Sequence, residues 1–529
     1  MIILGIGGLL GDAASAVLKD GRIAAAVEES KLVRRRVDWG GHGEIPEQSI
    51  DTCLDLAGAR PEQVDAVAIA RPIPDSGFHL KVRARFPASR IVLIDHHHAH
   101  AASAYFPSPF EEATVLTLDR GGDFRCGSRW RAQGTEMVLE QEHYPPDSLG
   151  ELYGRVTELL GFRADVDEHK VQWLSTSGDG RFEDLFREMI GVADGAPRID
   201  RSYFSTERLK HGGFSARFYE RLGLPDGEPV PQNLRAHVAA GAQKAIEGAA
   251  IGMVRAAGGA GRNLCFAGGL GLNALLVSAL ERCSGYENVF VQPAAGNAGT
   301  AIGAVLDTWH RVYREQRRVP LDTLCLGPAF TAADTKQALE NCKLRFRYLL
   351  TTEEVIDTAV AQLNDNKIVA WMHGRMEFGA RALGNRSILA SPLNPYSTEN
   401  LNVYIKHREP FRKFAASVPA ELCAQYFEVG ANARYLSTVG RVRPEHRERF
   451  GAAVLAEDLV RVHTVKREEN PLYWKLLHAA GKATGLPVLY NTSFNLFGEP
   501  LVCTPRDAVR SFYSSGIDAM FVGGFFLQK

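Results

Sequence analysis

Residues 113–122 read ATVLTLDRGG, a run of aliphatic and β-branched residues that ends in an aspartate and two glycines. A short apolar run of this kind, bounded by glycine, predicts a buried strand followed by a small-residue loop. The pattern also occurs at Ile2–Gly5 and at Asn263–Phe266, which runs into Gly268-Gly269. Such loops can present backbone N–H groups to a phosphate, although glycine after a strand is more often only a turn. The repetition predicts a duplicated α/β domain.

The composition is that of an ordinary globular protein of at least two domains. The chain has 529 residues, with 45% hydrophobic and 23% charged residues, which excludes a disordered chain and a multi-span membrane protein. Its 61 basic and 62 acidic side chains give a net charge of −1, so no global field attracts nucleic acid or a membrane surface. We therefore expect neither partner, and any bound anion must be met by local charge.

The cysteines and the amino terminus favour a cytoplasmic protein. The eight cysteines never lie closer than 17 residues, so they form neither a CxxC motif nor a dense disulfide framework. The apolar segment 1–18 lacks a basic start and is interrupted by Asp12, unlike a signal peptide. We expect reduced thiols and a cytoplasmic location.

A charged, proline-interrupted stretch over residues 314–328 resembles a linker. It predicts two domains, 1–325 and 326–529. The second domain is expected to contain a helix and three strands, at Thr352–Asn364, Lys367–Met372, Leu486–Tyr490 and Phe521–Leu527.

The histidine-rich segment 95–100, DHHHAH, leads into the good helix formers of residues 101–104. On a helix, positions i and i+4 share a face, so His96 and His100 can offer two imidazoles to one metal. Asp119 is the natural third ligand, and this donor set suits Fe(II), Mn(II) or Zn(II). The alternative is a histidine-rich helix start whose rings cap carbonyl groups or face solvent.

Arginine and lysine dominate residues 374–414 with few acidic partners. The basic residues are Arg375, Arg381, Arg386, Lys406, Arg408, Arg412 and Lys413. A glycine-broken, arginine-rich run favours a site for a phosphate-bearing small molecule over a solvated surface, and nucleic-acid binding is the weaker alternative. The Asn491–Asn495 segment, NTSFN, follows a predicted strand and adds short polar donors for a phosphate or a planar amide.

A second basic cluster, Lys31 with Arg34–Arg36, follows two glutamates and is interpreted first as a solvated loop face. The chain contains neither a GxSxG nucleophile elbow nor a GxxxxGK[ST] loop. Covalent serine catalysis and P-loop phosphoryl transfer therefore lose support.

Four stretches together resemble the NodU/CmcH family of O-carbamoyltransferases, which includes antibiotic-tailoring enzymes. They are the histidine segment 95–104, GRMEFGARALGNRSILA at 374–390, IKHREPFR at 405–412 and NTSFN with Gly498-Glu499-Pro500. The resemblance covers essentially the whole chain, and the 374–390 and 491–505 blocks are highly specific.

The resemblance implies an α/β fold of two parts. An amino-terminal ASKHA-type domain, actin-like with a duplicated RNase H-like core, would precede a carboxyl-terminal YrdC-like domain. The carboxyl-terminal site would form carbamoyl adenylate from carbamoyl phosphate and ATP with Mg²⁺. The amino-terminal site would transfer the carbamoyl group to a small-molecule hydroxyl, such as that of a sugar or secondary metabolite, assisted by a metal that is typically iron. A homodimer is compatible with this scheme.

The same resemblance assigns roles to individual residues. It implies metal ligation by His96, His100, Asp119 and the Asn297 position, and adenylate contacts from Gly268, Gly269, Asn273 and Asn297. Carbamoyl phosphate contacts are expected from Arg375, Arg408, Arg461, Asn491 and Asn495, and catalytic roles from Asp12, His237 and Arg36.

The chain departs from the family pattern at three positions. Gly11-Asp12 stands where members usually have a His-Asp pair, so the histidine that contacts the intermediate is absent. Asn297 replaces an aspartate ligand, and a neutral oxygen binds hard metals more weakly. His237 occupies a position that is typically acidic and could supply a replacement base. These departures leave two alternatives open: a transferase with an amine or other non-standard acceptor, and an impaired nucleotide-binding partner of another transferase.

Overall fold

The computed structural model describes residues 1–9, 11–35, 45–205, 207, 211–256, 261–496 and 498–529. Arg36 lies outside these ranges. The strands are β1 Ile2–Gly7, β2 Ala14–Lys19, β3 Arg22–Glu28, β4 Ala66–Ala70, β5 Arg90–Ile94, β6 Glu112–Gly122, β7 Arg125–Gln133, β8 Glu136–His143, β9 Ile190–Ala193, β10 Ala196–Ile199, β11 Asn263–Ala267, β12 Asn288–Val291, β13 Arg347–Tyr348, β14 Val369–Met372, β15 Arg386–Ala390, β16 Ala415–Pro419, β17 Phe427–Glu428, β18 Val439–Val442, β19 Leu459–Val465, β20 Leu489–Ser493, β21 Ala519–Val522 and β22 Phe525–Gln528.

The α-helices are α1 Glu29–Val33, α2 Glu47–Ala57, α3 Ser76–Arg85, α4 His96–Tyr105, α5 Leu149–Leu159, α6 Glu168–Ser175, α7 Glu183–Met189, α8 Ala216–Leu222, α9 Gln232–Ala256, α10 Ala274–Cys283, α11 Thr300–Asp307, α12 Ala332–Asn341, α13 Thr352–Asn364, α14 Ser397–Glu399, α15 Cys423–Tyr426, α16 Pro471–Thr484 and α17 Pro505–Tyr513. Among the described residues, no helix is both long and apolar enough to cross a membrane.

The first half contains the same five-stranded sheet twice. The first sheet has the order β3-β2-β1-β4-β5, and the second has the order β8-β7-β6-β11-β12. In both sheets the first strand in sequence pairs antiparallel with the second and parallel with the fourth. The duplicated α/β fold predicted for this half is confirmed by the two matching sheets, and its ASKHA-type assignment stays a prediction.

Helices α4 and α11 pack against each other between the two sheets. Their crossing is close because Gly303 of α11 has no side chain, and a Cβ there would lie 1.8 Å from the carbonyl oxygen of Ala99. The close crossing helps to fix α4, and with it the histidines at its amino-terminal end, relative to the second sheet.

The second half forms one ten-stranded mixed sheet, ordered β13-β22-β21-β14-β15-β20-β16-β19-β18-β17. This half is a mixed α/β unit, as predicted, and its YrdC-like assignment stays a prediction. The predicted helix Thr352–Asn364 is present as α13. The predicted domain boundary after residue 325 stays a prediction. The strands of the two five-stranded sheets end at Val291 and those of the ten-stranded sheet begin at Arg347, so the strands place the boundary only within this interval.

Two strand predictions need correction. The closing segment is two strands, β21 and β22, because a turn at Gly523-Gly524 folds the chain back into an antiparallel pair. The strand predicted to end at Asp119 continues to Gly122, with an irregular register after Leu118, before a turn leads into β7. Gly121 and Gly122 are thus part of a distorted strand end and not of a separate loop.

The charged stretch after α11 is packed rather than free. Arg318 donates hydrogen bonds to the carbonyl oxygens of Tyr105 and Phe110, at 2.8 and 2.7 Å. Leu321 and Leu326 are buried in the core between the sheets. The connection between the halves is therefore held against the first half.

A buried ion pair also ties the halves together. Lys31 lies 2.8 Å from Glu28, and its Nζ donates to the carbonyl oxygens of Glu377 and Gly379 at 2.9 Å. The Gly379 N–H donates back to Glu28 at 2.7 Å. Part of the predicted loop-face cluster at residues 31–36 is thus a buried contact, because Lys31 is only 6% exposed.

Candidate active site

Three side chains meet between α4 and the end of β6. The Oδ2 atom of Asp119 lies 2.9 Å from Nε2 of His96 and 3.1 Å from Nε2 of His100, and the two nitrogen atoms are 3.2 Å apart. All three residues are buried. Three donors on one face of an octahedron, each about 2.1 Å from an ion, lie about 3.0 Å apart, so the spacing of this metal cluster fits one divalent ion.

Neighbouring groups orient the ligands. The other ring nitrogen of His96, Nδ1, is 3.2 Å from the carbonyl oxygen of Arg71, which favours the tautomer that leaves Nε2 free to bind metal. Asp119 accepts hydrogen bonds through Oδ1 from the backbone N–H groups of Arg120 and Gly269, at 2.8 and 3.3 Å. Gly122 is needed beside the ring, because a Cβ there would lie 2.3 Å from His96.

The electrostatics of the cluster suit a cation. Burial would raise the pKa of Asp119, but hydrogen bonds from His100 and His96 outweigh it and hold that pKa well below its usual range. Burial lowers the pKa of His100. Burial would also lower the pKa of His96, but the hydrogen bond and charge of Asp119 raise it instead. The cluster therefore offers one carboxylate and imidazole nitrogens, which are the donors that a divalent metal requires.

Asn297 lies beside this cluster, close enough to affect the pKa of His100. Its Oδ1 atom is buried and has no hydrogen-bond partner. A buried amide oxygen without a partner is costly unless something else satisfies it. The atom is therefore available as a neutral oxygen donor.

The loop of residues 268–273, here called the glycine loop, touches the metal cluster at one end. Gly268 has a φ of +95°, and a Cβ there would lie 2.2 Å from the carbonyl oxygen of Leu118. Asn273 caps α10 through Oδ1, which accepts from the N–H groups of Leu275 and Leu276, and its Nδ2 donates to Gln243 at 2.8 Å. Its side chain is thus occupied by capping, and its adenylate contact stays a prediction.

The loop between β1 and β2 also lies near Asn297. Its Gly8 N–H donates to Thr300 Oγ1 at 3.0 Å, and Thr300 Oγ1 donates to the Asn297 carbonyl oxygen at 2.6 Å. Asp12 in this loop is exposed and has a φ of +50°. The loop therefore brings backbone N–H groups to the same side of the molecule as Asn297.

His237 lies on α9 with its Nδ1 atom 2.8 Å from Asp179, which is also bound by Arg181. In the described ranges, no hydrogen bond or ion pair joins His237 to the metal cluster. Among the described residues, no hydrogen bond or ion pair joins Asp12 to His237, and Arg36 lies outside those residues. The catalytic roles of all three stay predictions.

A second constellation, the arginine cluster, lies where the second half meets the first. It consists of four partly buried side chains: Arg381, Arg408, Arg412 and Arg461. Burial and then the repulsion of Arg412 lower the pKa of Arg381 to about 10 and that of Arg408 to about 9. Burial, followed by repulsion from the other three, holds the pKa of Arg461 well below its usual range. Guanidinium groups that lie close enough to repel one another favour binding of an anion between them.

Arg461 and Asn491 stand in one row of the large sheet. Both pair with Ala415 of β16, Arg461 from β19 and Asn491 from β20, so a small side chain separates them. The Nε atom of Arg461 and the Oδ1 atom of Asn491 are buried and have no hydrogen-bond partner among the described residues. The Nδ2 atom of Asn491 donates to the Ala382 carbonyl oxygen at 3.1 Å. A guanidinium donor and an amide acceptor are thus left free on one face.

The other predicted phosphate contacts are arranged differently. Asn495 Oδ1 accepts a hydrogen bond from Lys406 at 2.5 Å, and its Nδ2 donates to the Glu499 carbonyl oxygen, so this asparagine holds Lys406 in place. Arg375 donates to the carbonyl oxygens of Ala24, Leu326 and Gly327, away from the arginine cluster. It lines a separate cavity of about 760 Å³ between the linker and the start of α16.

Some residues of these sites were missed as site residues. Arg381 and Arg412 carried a signal, because they belong to the arginine-rich run that the sequence singles out. Trp173 carried none: its ring lies under the Arg461 guanidinium at 5.0 Å, a contact between two distant parts of the chain.

Comparison with known proteins identifies the family of the chain. The carbamoyltransferase carboxyl-terminal family model matches residues 360–529, and the amino-terminal one matches residues 77–306. An uncharacterized protein of Synechocystis sp. is 33% identical, covering 100% of this chain and 96% of the relative. The chain belongs to the NodU family of carbamoyltransferases.

Two nodulation proteins are similar to this carbamoyltransferase over almost its whole length. Nodulation protein NolNO of Sinorhizobium fredii is 30% identical over 98% of this chain and 79% of its own length. Nodulation protein U of Rhizobium tropici is 28% identical over 98% of this chain and 94% of its own length. The family models and these relatives thus confirm the expected enzyme class, a carbamoyltransferase.

Proposed function

We propose that the enzyme forms carbamoyl adenylate from carbamoyl phosphate and ATP at the arginine cluster. It then transfers the carbamoyl group to a hydroxyl of a small-molecule acceptor at the metal cluster. The observation that carries this proposal is the arginine cluster itself, in which four guanidinium groups repel one another beside the free amide oxygen of Asn491. Four guanidinium groups with few carboxylate partners favour a ligand that carries several negative charges.

The arrangement suits each part of carbamoyl phosphate. Guanidinium N–H groups can bind the phosphate oxygens in pairs and neutralise its charge. The Oδ1 atom of Asn491 can accept a hydrogen bond from the carbamoyl NH₂ group. Water hydrolyses carbamoyl phosphate to carbamate and inorganic phosphate. A carbamate oxygen then attacks the α-phosphorus of ATP, and the bond from that phosphorus to pyrophosphate breaks. The arginines would stabilise the charge that develops on the leaving phosphates.

The metal cluster suits the transfer step. A bound divalent ion, for which two imidazoles and one carboxylate favour Fe(II), would polarise the carbamoyl group or stabilise the leaving phosphate. His96, His100 and Asp119 would hold it, with Asn297 as a neutral fourth donor. The acceptor oxygen would attack the carbamoyl carbon, lose its proton and displace AMP.

The glycine loop connects the two sites. Its Gly269 N–H donates to Asp119 of the metal cluster, and the carbonyl oxygen of Leu272 accepts from Arg381 of the arginine cluster at 3.0 Å. The two contacts are made by loop residues that are only three positions apart. The loop thus reaches both clusters, which supports an adenylate that lies along it with one end at each cluster.

Release of pyrophosphate tests the activation step. The purified enzyme with Mg²⁺, ATP and carbamoyl phosphate should release pyrophosphate, and omission of carbamoyl phosphate should abolish the release. Folded enzyme that releases none would contradict the proposal. Turnover with hydroxyl and amine acceptors, followed by mass measurement of the product, separates O-transfer from the amine alternative, and any turnover by the single chain excludes the impaired-partner alternative.

A further inference from the structure

Helix α6 of the amino-terminal half reaches the arginine cluster of the carboxyl-terminal half. Trp173 of this helix is only 3% exposed, and its ring lies 5.0 Å from the Arg461 guanidinium. One turn earlier, Lys170 lies 3.1 Å from Glu409, which neighbours Arg408 in sequence. Two residues of the first half therefore contact the predicted phosphate site of the second.

The Trp173 ring is the main recorded contact of the Arg461 head group. Within the part of the chain that the structure describes, no hydrogen bond is recorded for this guanidinium, and its Nε atom is buried without a partner. A guanidinium over an indole face is held by cation–π attraction while its N–H groups remain free at the edge. The ring thus fixes Arg461 without using the donors that a phosphate needs.

Lys170 acts on the carboxylate nearest the cluster. Glu409 Oε1 lies 3.1 Å from Lys170, whereas Glu409 Oε2 lies 3.6 Å from Arg412. Without Lys170, the carboxylate would be free to pair more closely with Arg412 and compete with a bound phosphate. The lysine therefore keeps Arg412 available.

We propose that Trp173 and Lys170 are positioning residues for the anion site, so that this site is complete only when α6 is docked on the second half. The inference rests on the proposed function, because it takes the arginine cluster to be the site of carbamoyl phosphate. It adds a requirement for the first half in the binding of a substrate that the second half activates.

The Trp173→Leu variant of the full-length enzyme tests the ring. We expect its Kd for inorganic phosphate, measured by calorimetry, and its KM for carbamoyl phosphate to rise about ten-fold with little change in kcat. Trp173→Phe keeps an aromatic face and should restore binding to within about three-fold of wild type. The matched control is Trp474→Leu, which removes a similar ring under Arg467 at 5.5 Å, away from the cluster, and should leave both constants unchanged.

A pair of variants tests the lysine without disturbing the core. Lys170→Met should weaken phosphate binding about five-fold, because it removes one positive charge and releases Glu409. The double variant Lys170→Met/Glu409→Gln has the net charge of the wild type and no competing carboxylate, so binding should return to within about two-fold of wild type. A purely structural role of the Lys170–Glu409 contact would not be rescued in this way.

The outcomes separate the two proposals. Wild-type phosphate affinity and KM in folded Trp173→Leu, or no rescue in the double variant, would overturn the positioning roles while leaving the proposed function intact. Wild-type enzyme that binds no phosphate and releases no pyrophosphate would overturn both.

Discussion

The metal cluster and the arginine cluster are opposite solutions to the problem of charge inside a protein. At the metal cluster, one buried carboxylate lies within 3.1 Å of two imidazole nitrogens, so the negative charge already has partners. At the arginine cluster, four guanidinium groups repel one another, and Glu409 is the carboxylate recorded against them. The first cluster has the donors for one cation, whereas the charges of the second favour an anion.

The difference between the clusters also lies in how each is built. The metal cluster comes from one helix and the strand that follows it, within residues 96–119. The arginine cluster comes from the loop before β15, which carries Arg381, from the loop before β16, which carries Arg408 and Arg412, and from strand β19, which carries Arg461. We therefore expect local changes to disable the metal cluster, whereas the arginine cluster should respond to changes in both halves.

Arg461→Met should have the largest effect. The change removes a guanidinium that has no recorded hydrogen-bond partner in the described structure, so it should lower kcat/KM for pyrophosphate release by about 100- to 1000-fold with little loss of stability. The control is Arg441→Met on the adjacent strand β18, where the side chain is 50% exposed and pairs with Glu457. Equal rates for wild type and Arg461→Met would remove this residue from the activation site.

His100→Gln should lower the affinity for metal at least about 100-fold, because it removes one of three clustered donors. Bound metal, measured by elemental analysis after dialysis, should disappear together with acceptor carbamoylation, while pyrophosphate release persists. His98→Gln on the same helix is the control, since His98 faces Asp307 at 3.0 Å instead. Loss of pyrophosphate release in His100→Gln would show that the two clusters do not work as separate sites.

Gly268→Ala should disturb the connection between the clusters. The φ of +95° and the 2.2 Å approach of a new Cβ to the Leu118 carbonyl oxygen should destabilise the fold by about 2 kcal/mol. AMP binding by the folded fraction should weaken, as measured by calorimetry alongside thermal unfolding. Gly285→Ala is the control: this glycine also has a positive φ, but a Cβ there meets nothing within 4 Å. Equal AMP affinity in the two variants would exclude the glycine loop from nucleotide binding.

Asn297→Asp should have the smallest effect, and in the opposite direction. A second carboxylate beside the metal cluster should tighten binding of a divalent ion about ten-fold, because hard ions bind charged oxygen more strongly. Competition with a chelator measures the change. An unchanged affinity would mean that the Asn297 side chain does not contact the ion.

The sequence predicted the parts of the metal site that are close along the chain. His96 and His100 are one helical turn apart, and α4 begins at His96 as the pattern indicates. Asp119 was predicted as the third ligand because it lies near the end of the strand that follows this helix. The glycines at residues 268 and 269 were also singled out, because the predicted strand Asn263–Phe266 runs into them. Their contact with an adenylate stays a prediction.

Long-range contacts were the parts that the sequence missed. The run from Arg375 to Lys413 predicted an anion site, yet the structure divides it: Arg375 binds backbone carbonyl oxygens, whereas Arg381, Arg408 and Arg412 join Arg461. Asn273 and Asn495 have side chains that could contact a ligand, but both are engaged elsewhere. The Asn273 side chain caps α10, and the Asn495 side chain accepts a hydrogen bond from Lys406. Which polar atoms remain free depends on neighbours that no local pattern specifies.

The amino-acid sequence by itself thus determined the family, the duplicated strand and glycine-loop pattern, the presence of two anion- or metal-binding constellations and the loss of a charge at Asn297. Short-range spacing and residue type are sufficient for those conclusions. Only the tertiary structure decided which arginines form one cluster, that Trp173 and Lys170 of the first half contact it, and that Arg461 and Asn491 face each other across Ala415. Those relations arise from sheet register and from the packing of the two halves, which bring together residues almost 300 positions apart.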